Sequence, residues 1–296
     1  MHSVNDSAEI SVGWVVLTRG DRPTELLQAI GSLTSGSAGR ADVVVVANGG
    51  GDLDTPFPDR VTVMESSRNI GVPGGRDVGL HATADSVVGF LDDDAILRGD
   101  SAAIAGAFAA DPALGAVSLR IVDESGKSNP RHVPRPGGCD PHAGGEVAQF
   151  LGGACAIRRD AYDQVGGYFV SLFFGHEEIE LCWRLIDAGW RIRYLADVEV
   201  FHPRTEISRH DDGWWLTGRN RVWIAKRTLP WPIALVHVSL WLALGYMRAP
   251  DAVCRRRYVA GWWTGWRTTW YADSSRRPIS WKTVWRLTRL GRPPVI

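Results

Sequence analysis

Three consecutive carboxylates, Asp92, Asp93 and Asp94, end the apolar run VVGFL at residues 87–91. Adjacent acids repel one another unless a positive charge joins them. Residues i and i+2 of an extended segment share a side, so Asp92 and Asp94 can share one hard divalent cation. The carboxyl end of a parallel strand is also where open α/β sheets bind ligands. Taken alone, the same acids read equally well as a turn that caps the following helix. Upstream, SSRNIGVPGGRDVGL carries Arg68 and Arg76 among Gly71, Gly74 and Gly75. Glycines that open a helix let the backbone approach a phosphate, and Arg76 in the first turns can reach a diphosphate. The spacing is neither a P-loop nor a dinucleotide fingerprint, which argues against NTPase and dinucleotide chemistry.

Two further residues carry chemical potential. In GHEEIELCWRL, Glu178 shares a helix face with Leu181, Cys182 and Leu185, which turns its carboxylate inward as a general-base candidate. Glu180 is expected to point outward and pair with Arg184 at i+4. The plainer account of Glu177 and Glu178 is compensation of the helix dipole. His202 ends the run VEVFHP, and a lone histidine there is more often structural than a ligand.

The elements that must position these groups follow from periodicity. Strands are expected at 10–17, 42–47, 61–64 and 87–91, with helical spacing at Leu26, Leu27, Ile30 and Leu33 between the first two. A helix closes at 79–84 and another covers 101–110. Strand character returns at 150–157 and 191–201, flanking a helix at 177–188. This alternation predicts an α/β sheet of parallel strands. Residues 123–146 interrupt it with four Pro and five Gly, the composition of a long loop or lid.

Composition divides the chain in two. Its 33 basic and 33 acidic residues cancel, which excludes a global charge that recruits nucleic acid. Residues 248–296 nevertheless hold eleven Lys or Arg against Asp251 and Asp273, a balance of +9. Eight of the 14 Trp lie between Trp231 and Trp285. The apolar helix expected at 233–247 is shorter than the roughly 20 residues a membrane span needs. Trp favours membrane interfaces and Arg favours anionic headgroups, so residues 230–296 read as helices on the inner membrane surface. Packing of these Trp against the preceding domain is the other reading. The four widely spaced cysteines fit reduced thiols in a cytosolic compartment and no structural zinc, and residues 1–11 lack a signal-peptide layout.

Taken in order, VVVVANGGGD, RNIGVPGGR, FLDDDAIL, FLGGACAIRRDAYDQVGGY, FFGHEEIELCWRLIDAGWRIRYLADVEVFH and GRNRVW resemble glycosyltransferase family 2 over residues 10–227. The resemblance implies a GT-A fold, a Rossmann-like nucleotide-binding sheet with helices on both faces, here at 1–229. A Trp/Arg-rich helical extension follows at 230–296. It implies an inverting transferase that takes a UDP-, dTDP- or GDP-linked sugar with Mg²⁺ or Mn²⁺ and hands it to a glycan or lipid-linked acceptor in envelope assembly. By that resemblance Asp92, Asp94 and His202 are metal ligands. Thr18, Asn48, Arg68, Asn69, Arg76, Asp92 and Asp93 contact the donor, and Glu178 is the base. Ala47 stands where the family commonly has an acid, and Glu178 where it commonly has Asp. A non-catalytic relative that binds a nucleotide sugar or glycan as a partner subunit is the main alternative. A nucleotidyltransferase would want more basic residues near the N-terminus than Arg19 and Arg22.

Overall fold

The structure, a computed structural model, describes residues 10–35, 41–49, 53, 56–135, 140–204, 212–268 and 276–295. Cys139, part of the 123–146 loop, and Trp270 lie outside these. The chain opens with the alternation expected: β1 (Val12–Thr18), α1 (Pro23–Thr34), β2 (Val43–Asn48), β3 (Val61–Ser66), α2 (Gly71–Ala82) and β4 (Val87–Asp92). These four strands are parallel and ordered β3-β2-β1-β4. All six residues of β2 are buried, as a strand covered on both faces requires. In α1 the buried residues are Leu26, Ala29, Ile30 and Leu33, one helical stripe facing the sheet.

The second half departs from an all-parallel sheet. It contributes β5 (Ile96–Arg98), α3 (Ser101–Ala110), β6 (Leu114–Val122), β7 (Gly145–Glu146), β8 (Ala154–Arg158), α4 (Arg159–Val165), α5 (Glu177–Asp187) and β9 (Arg191–Phe201). The sheet continues from β4 through β8, β6 and β9 to β5, and β7 pairs with β9. β8 runs antiparallel to both β4 and β6, so the nine strands form a mixed sheet. Strand character had been expected from residue 150, but Leu151 and Ala154 instead close a tight turn around Gly152 and Gly153 before β8 begins.

Four helices complete the described chain: α6 (Gly213–Thr228), α7 (Trp231–Arg248), α8 (Ala252–Arg267) and α9 (Trp281–Arg289). α6 and α8 lie almost backbone to backbone. A Cβ at Gly218 would overlap the Tyr258 carbonyl, and one at Gly261 would overlap the Trp215 carbonyl. Ala234 and Val238 of α7 and Leu287 of α9 share one apolar cluster with Leu181, Cys182 and Leu185 of α5. The same helices leave Trp231, Leu235, Met247, Trp263, Trp281 and Trp285 exposed. Among the described residues no helix is long and apolar enough to cross a membrane.

Glu180 corrects the outward orientation expected of it. Its pairing with Arg184 holds, at 2.6 Å, but the pair is buried. The Glu180 carboxylate also meets the Arg227 guanidinium and accepts a hydrogen bond from the Thr228 hydroxyl at 3.1 Å. Burial would raise this carboxyl, but Arg184 and Arg227 hold it below its ordinary value. Helix periodicity in α5 could not reveal that α6 covers its second face.

Candidate active site

The strand order reverses direction between β1 and β4, and ligands of open α/β sheets bind at the crevice outside such a switch point. Thr18 ends β1 and Asp92 ends β4, and a cavity of about 840 Å³ opens between them. Thr18, Asn48, Asn69, Arg76, Asp92, Asp93, Asp94 and His202 all line it. These eight residues come from five segments of the chain, whereas Glu178 lies outside the cavity lining. Arg68 is exposed and outside the cavity lining; its carbonyl accepts a hydrogen bond from the Ser66 hydroxyl.

Each acid has its own environment. The Thr18 hydroxyl donates to Asp93 at 2.7 Å, and Arg22 bridges Asp93 at 3.1 Å and Asp94 at 2.5 Å. Burial pushes the Asp93 carboxyl up to about 6 against the pull of Thr18 and Arg22. Asp92 bonds to Arg76 at 3.2 Å. Burial would raise Asp92, but the His202 hydrogen bond and the Arg76 charge hold it well below the carboxylate range. His202 donates from Nδ1 to the Pro203 carbonyl at 2.8 Å. That turns Nε2 toward Asp92 at 3.4 Å and Asp94 at 3.3 Å. Burial opposes protonation of this ring, yet the two carboxylates raise it to about 9.

Among the described residues no three acid, His or Cys side chains form a ready-made cation cage. Arg22, Arg76 and His202 neutralise the acids instead. The donor chemistry nevertheless fits Mg²⁺ or Mn²⁺: two carboxylates and an imidazole nitrogen fixed by its outer hydrogen bond converge on one region.

Arg76 connects this cavity to Glu178. The guanidinium lies 3.1 Å from Glu178 and 3.2 Å from Asp92, with Glu177 at 4.0 Å. Burial would lower Arg76, but Tyr168 and the surrounding acids raise it, so it stays charged. The Gly152–Gly153 turn makes this approach possible. A Cβ at Gly152 would overlap both Glu178 and Arg76, and one at Gly153 would overlap the Asp92 carboxylate. Burial, then the charge of Glu178, pushes the Glu177 carboxyl well above the carboxylate range. Asn48 holds the connecting loop, accepting from the Ile70 N–H at 2.8 Å and donating to the Gly71 carbonyl.

Several lining residues escaped sequence reasoning. Arg22 carries no motif of its own, yet its place just beyond β1 puts it at the switch point. His132, inside the Pro/Gly-rich loop, faces His202 with ring centroids 6.4 Å apart. Burial and then Arg131 lower its imidazole to about 4. Phe173, Phe174, Trp214 and Thr217 supply apolar and hydroxyl lining that no local spacing marks.

A mixed sheet with an acid triplet at its switch point is the architecture of GT-A glycosyltransferases, and solved structures agree. The chain superposes on S. aureus TarS residues 1–349 with a TM-score of 0.60 at 14% identity, covering 86% of this chain and 80% of that one. GalNAc-T7 crystallised with UDP, GalNAc and Mn²⁺ gives a TM-score of 0.59 at 14% identity, over 93% of this chain and 59% of that one. The mannosyltransferase PcManGT of Pyrobaculum calidifontis, in complex with GDP-Man and Mn²⁺, gives 0.52 at 18% identity, over 94% and 78%.

Curated relatives point the same way. The chain is 32% identical over 160 residues to the pre-mycofactocin glycosyltransferase of Mycobacterium tuberculosis, covering 50% of this chain and 33% of that protein. It is 31% identical over 86 residues to the N-acetylglucosaminyl-diphospho-decaprenol L-rhamnosyltransferase of the same organism, 28% of each. The matches thus span about a third of these relatives' lengths. No protein-family profile matches the chain. The fold is GT-A, and the curated relatives that the chain resembles are glycosyltransferases.

Proposed function

We propose that this protein is an inverting glycosyltransferase that moves a sugar from a nucleoside-diphosphate donor to an acceptor hydroxyl. The observation that carries this reading is Arg76, buried and shared between Asp92 on the cavity side and Glu178 on the other. One guanidinium thereby links the charge that must stabilise a departing diphosphate to the carboxylate that must take a proton.

The residues divide the work. Thr18, Asn48, Asn69 and Asp93 line the nucleoside end of the cavity. Mg²⁺ or Mn²⁺, held by Asp92, Asp94 and His202, would neutralise charge on the diphosphate. Arg76 adds a second positive charge there. Glu178 accepts the acceptor hydroxyl's proton as that oxygen bonds to the anomeric carbon. The bond from that carbon to the diphosphate breaks in the same displacement, and its electron pair leaves with the diphosphate. A donor diphosphate competes with Glu178 for Arg76, so donor binding frees the carboxylate to act as a base. Arg131 and His132 bring the 123–146 loop to the cavity mouth, where it would limit access of water.

The C-terminal helices, with exposed Trp and a basic balance, support an acceptor carried on a glycolipid at the cytoplasmic membrane face. The rhamnosyltransferase relative, whose own name specifies a diphospho-decaprenol substrate, is consistent with an envelope role. A thermal-shift titration against UDP-, dTDP- and GDP-sugars, with and without Mn²⁺, tests the donor. The expected result is a Mn²⁺-dependent rise with one nucleotide, because a ligand that binds only the native state stabilises it. Silence with all three donors would favour the non-catalytic relative.

A further inference from the structure

A second cavity, of about 240 Å³, has a different chemistry from the first and shares none of its lining residues. It opens between α5, α6, α7 and the segment after α9. Three of its walls are guanidiniums: Arg221 of α6, Arg248 at the end of α7, and Arg292. Among the described residues none of the three meets a carboxylate. Arg221 is 92% buried, with Nε unpartnered and its guanidinium 3.4 Å from the centre of the Trp241 ring. Arg292 reaches the Arg135 carbonyl at 3.5 Å and leaves its own Nε unpartnered. The buried Trp241 indole N–H also lacks an acceptor.

The site therefore gathers donors and positive charge and supplies no anion. By contrast, the buried guanidiniums of Arg184 and Arg227 close on Glu180, and that of Arg219 closes on the Asn220 side-chain oxygen and the Leu172 carbonyl. A buried charge without such a partner is strongly unfavourable, and like charges crowding it make it worse. Burial, opposed only by Tyr258 and reinforced by Arg248, lowers Arg221 to about 9. Guanidiniums in such an arrangement match phosphate oxygens through paired N–H donors. At about 30 Å³ per water, the cavity holds the equivalent of about eight waters, room for a phosphate or diphosphate group.

We infer that Arg221, Arg248 and Arg292 form a second anion site that binds a phosphate or diphosphate group. Its position suits an acceptor. Ile179, beside Glu178 on α5, and Gln149, just before the Gly152–Gly153 turn, line the same cavity. Exposed Tyr246 and Met247 precede Arg248, so an apolar chain attached to the phosphate has a surface to follow. Resting on the glycosyltransferase reading, this site docks the phosphorylated end of the acceptor while the donor occupies the larger cavity. The binding itself requires no transfer chemistry.

Calorimetric titration of the full chain in chelator, without divalent metal, separates these ideas. Inorganic pyrophosphate and geranyl diphosphate are the two probes. Binding is expected to survive Arg76→Gln, on the donor side, and to weaken at least tenfold in the double variant Arg248→Gln/Arg292→Gln. Tighter binding of geranyl diphosphate assigns the site to a lipid-borne phosphate, and equal binding assigns it to free phosphate. Arg221→Met is expected to melt higher than the parent without ligand and to lose its response to pyrophosphate, whereas a structural arginine would melt lower when replaced. The inference is overturned if neither probe binds, or if the double variant binds as the parent does. A chain that binds pyrophosphate here but transfers no sugar would refute only the proposed catalysis.

Discussion

Arg76 is the residue through which the candidate base and the larger cavity are coupled. Its ion pair orients Glu178, and a neutral amide in that place keeps the shape and part of the hydrogen bonding. Glu178→Gln is therefore expected to lower kcat by about 10²–10⁴-fold with little change in donor KM, measured by release of nucleoside diphosphate under saturating acceptor. Near-normal turnover in that variant would remove Glu178 from the mechanism. A different residue sets a pH dependence of stability. His237 is buried, donates from Nδ1 to the Pro294 carbonyl at 2.7 Å, and packs edge-on against Trp183. Burial and then Arg221 lower its imidazole to about 3. The unfolded chain binds this proton below about 6.5 while the folded chain does not, so stability falls as pH drops from about 6.5 toward 3. Between pH 7 and pH 5 the parent should lose about 2 kcal/mol more than His237→Gln in urea unfolding. Equal losses would mean that His237 titrates normally in the folded protein.

At the scale of elements, α5 carries both the base candidate and the main electrostatic tie to the C-terminal helices. Removing the Glu180 charge leaves Arg184 and Arg227 buried without their shared partner. Glu180→Gln should destabilise the fold by about 3–5 kcal/mol, read from the denaturant midpoint, while the more exposed pair Arg286–Glu146 should contribute less than about 1 kcal/mol. The contrast also shows what the sequence could disclose. Local periodicity revealed β1, β2, β4, α5 and β9, since each buries a pattern written within a dozen residues. The Asp triplet stood out as adjacent acids at a strand end, whereas His202 alone read as structural and joined the site only through the family resemblance. The antiparallel insertion of β8 between β4 and β6 was not legible, since register between residues so far apart in the chain leaves no local period. Burial of Glu180 was hidden for the same reason, because its covering partner lies 47 residues away in α6. Arg22 carried a positional signal at the switch point, but only the folded chain brings it onto Asp93 and Asp94.

At the scale of the whole molecule, the C-terminal helices face two ways. α9 buries Thr283 and Leu287 against the body and turns Trp281 and Trp285 outward, 58% and 63% exposed. Those two residues are four apart, on one helical face with Arg289, whose guanidinium lies 6.0 Å from the Trp285 ring centre. Exposed indoles beside arginines form a surface that gains by entering an anionic lipid interface: the rings leave water and the guanidiniums meet phosphates. Replacing both with Ser removes most of that apolar area without disturbing the buried stripe, so folding should be preserved. Burying one large apolar side chain is worth about 1.5–3 kcal/mol, so even partial insertion of two implies at least about a tenfold loss of vesicle affinity. Co-sedimentation with vesicles containing anionic lipid should show that loss in Trp281→Ser/Trp285→Ser, together with a fall in parent binding as salt rises. Neutral vesicles should bind the parent more weakly than anionic ones, because the basic balance of residues 248–296 then has no counter-charge. Unchanged binding in the double variant, with the melting temperature also unchanged, would mean that α9 does not meet the lipid, and the membrane reading would have to rest on the Trp231 and Met247 face of α7 or be abandoned.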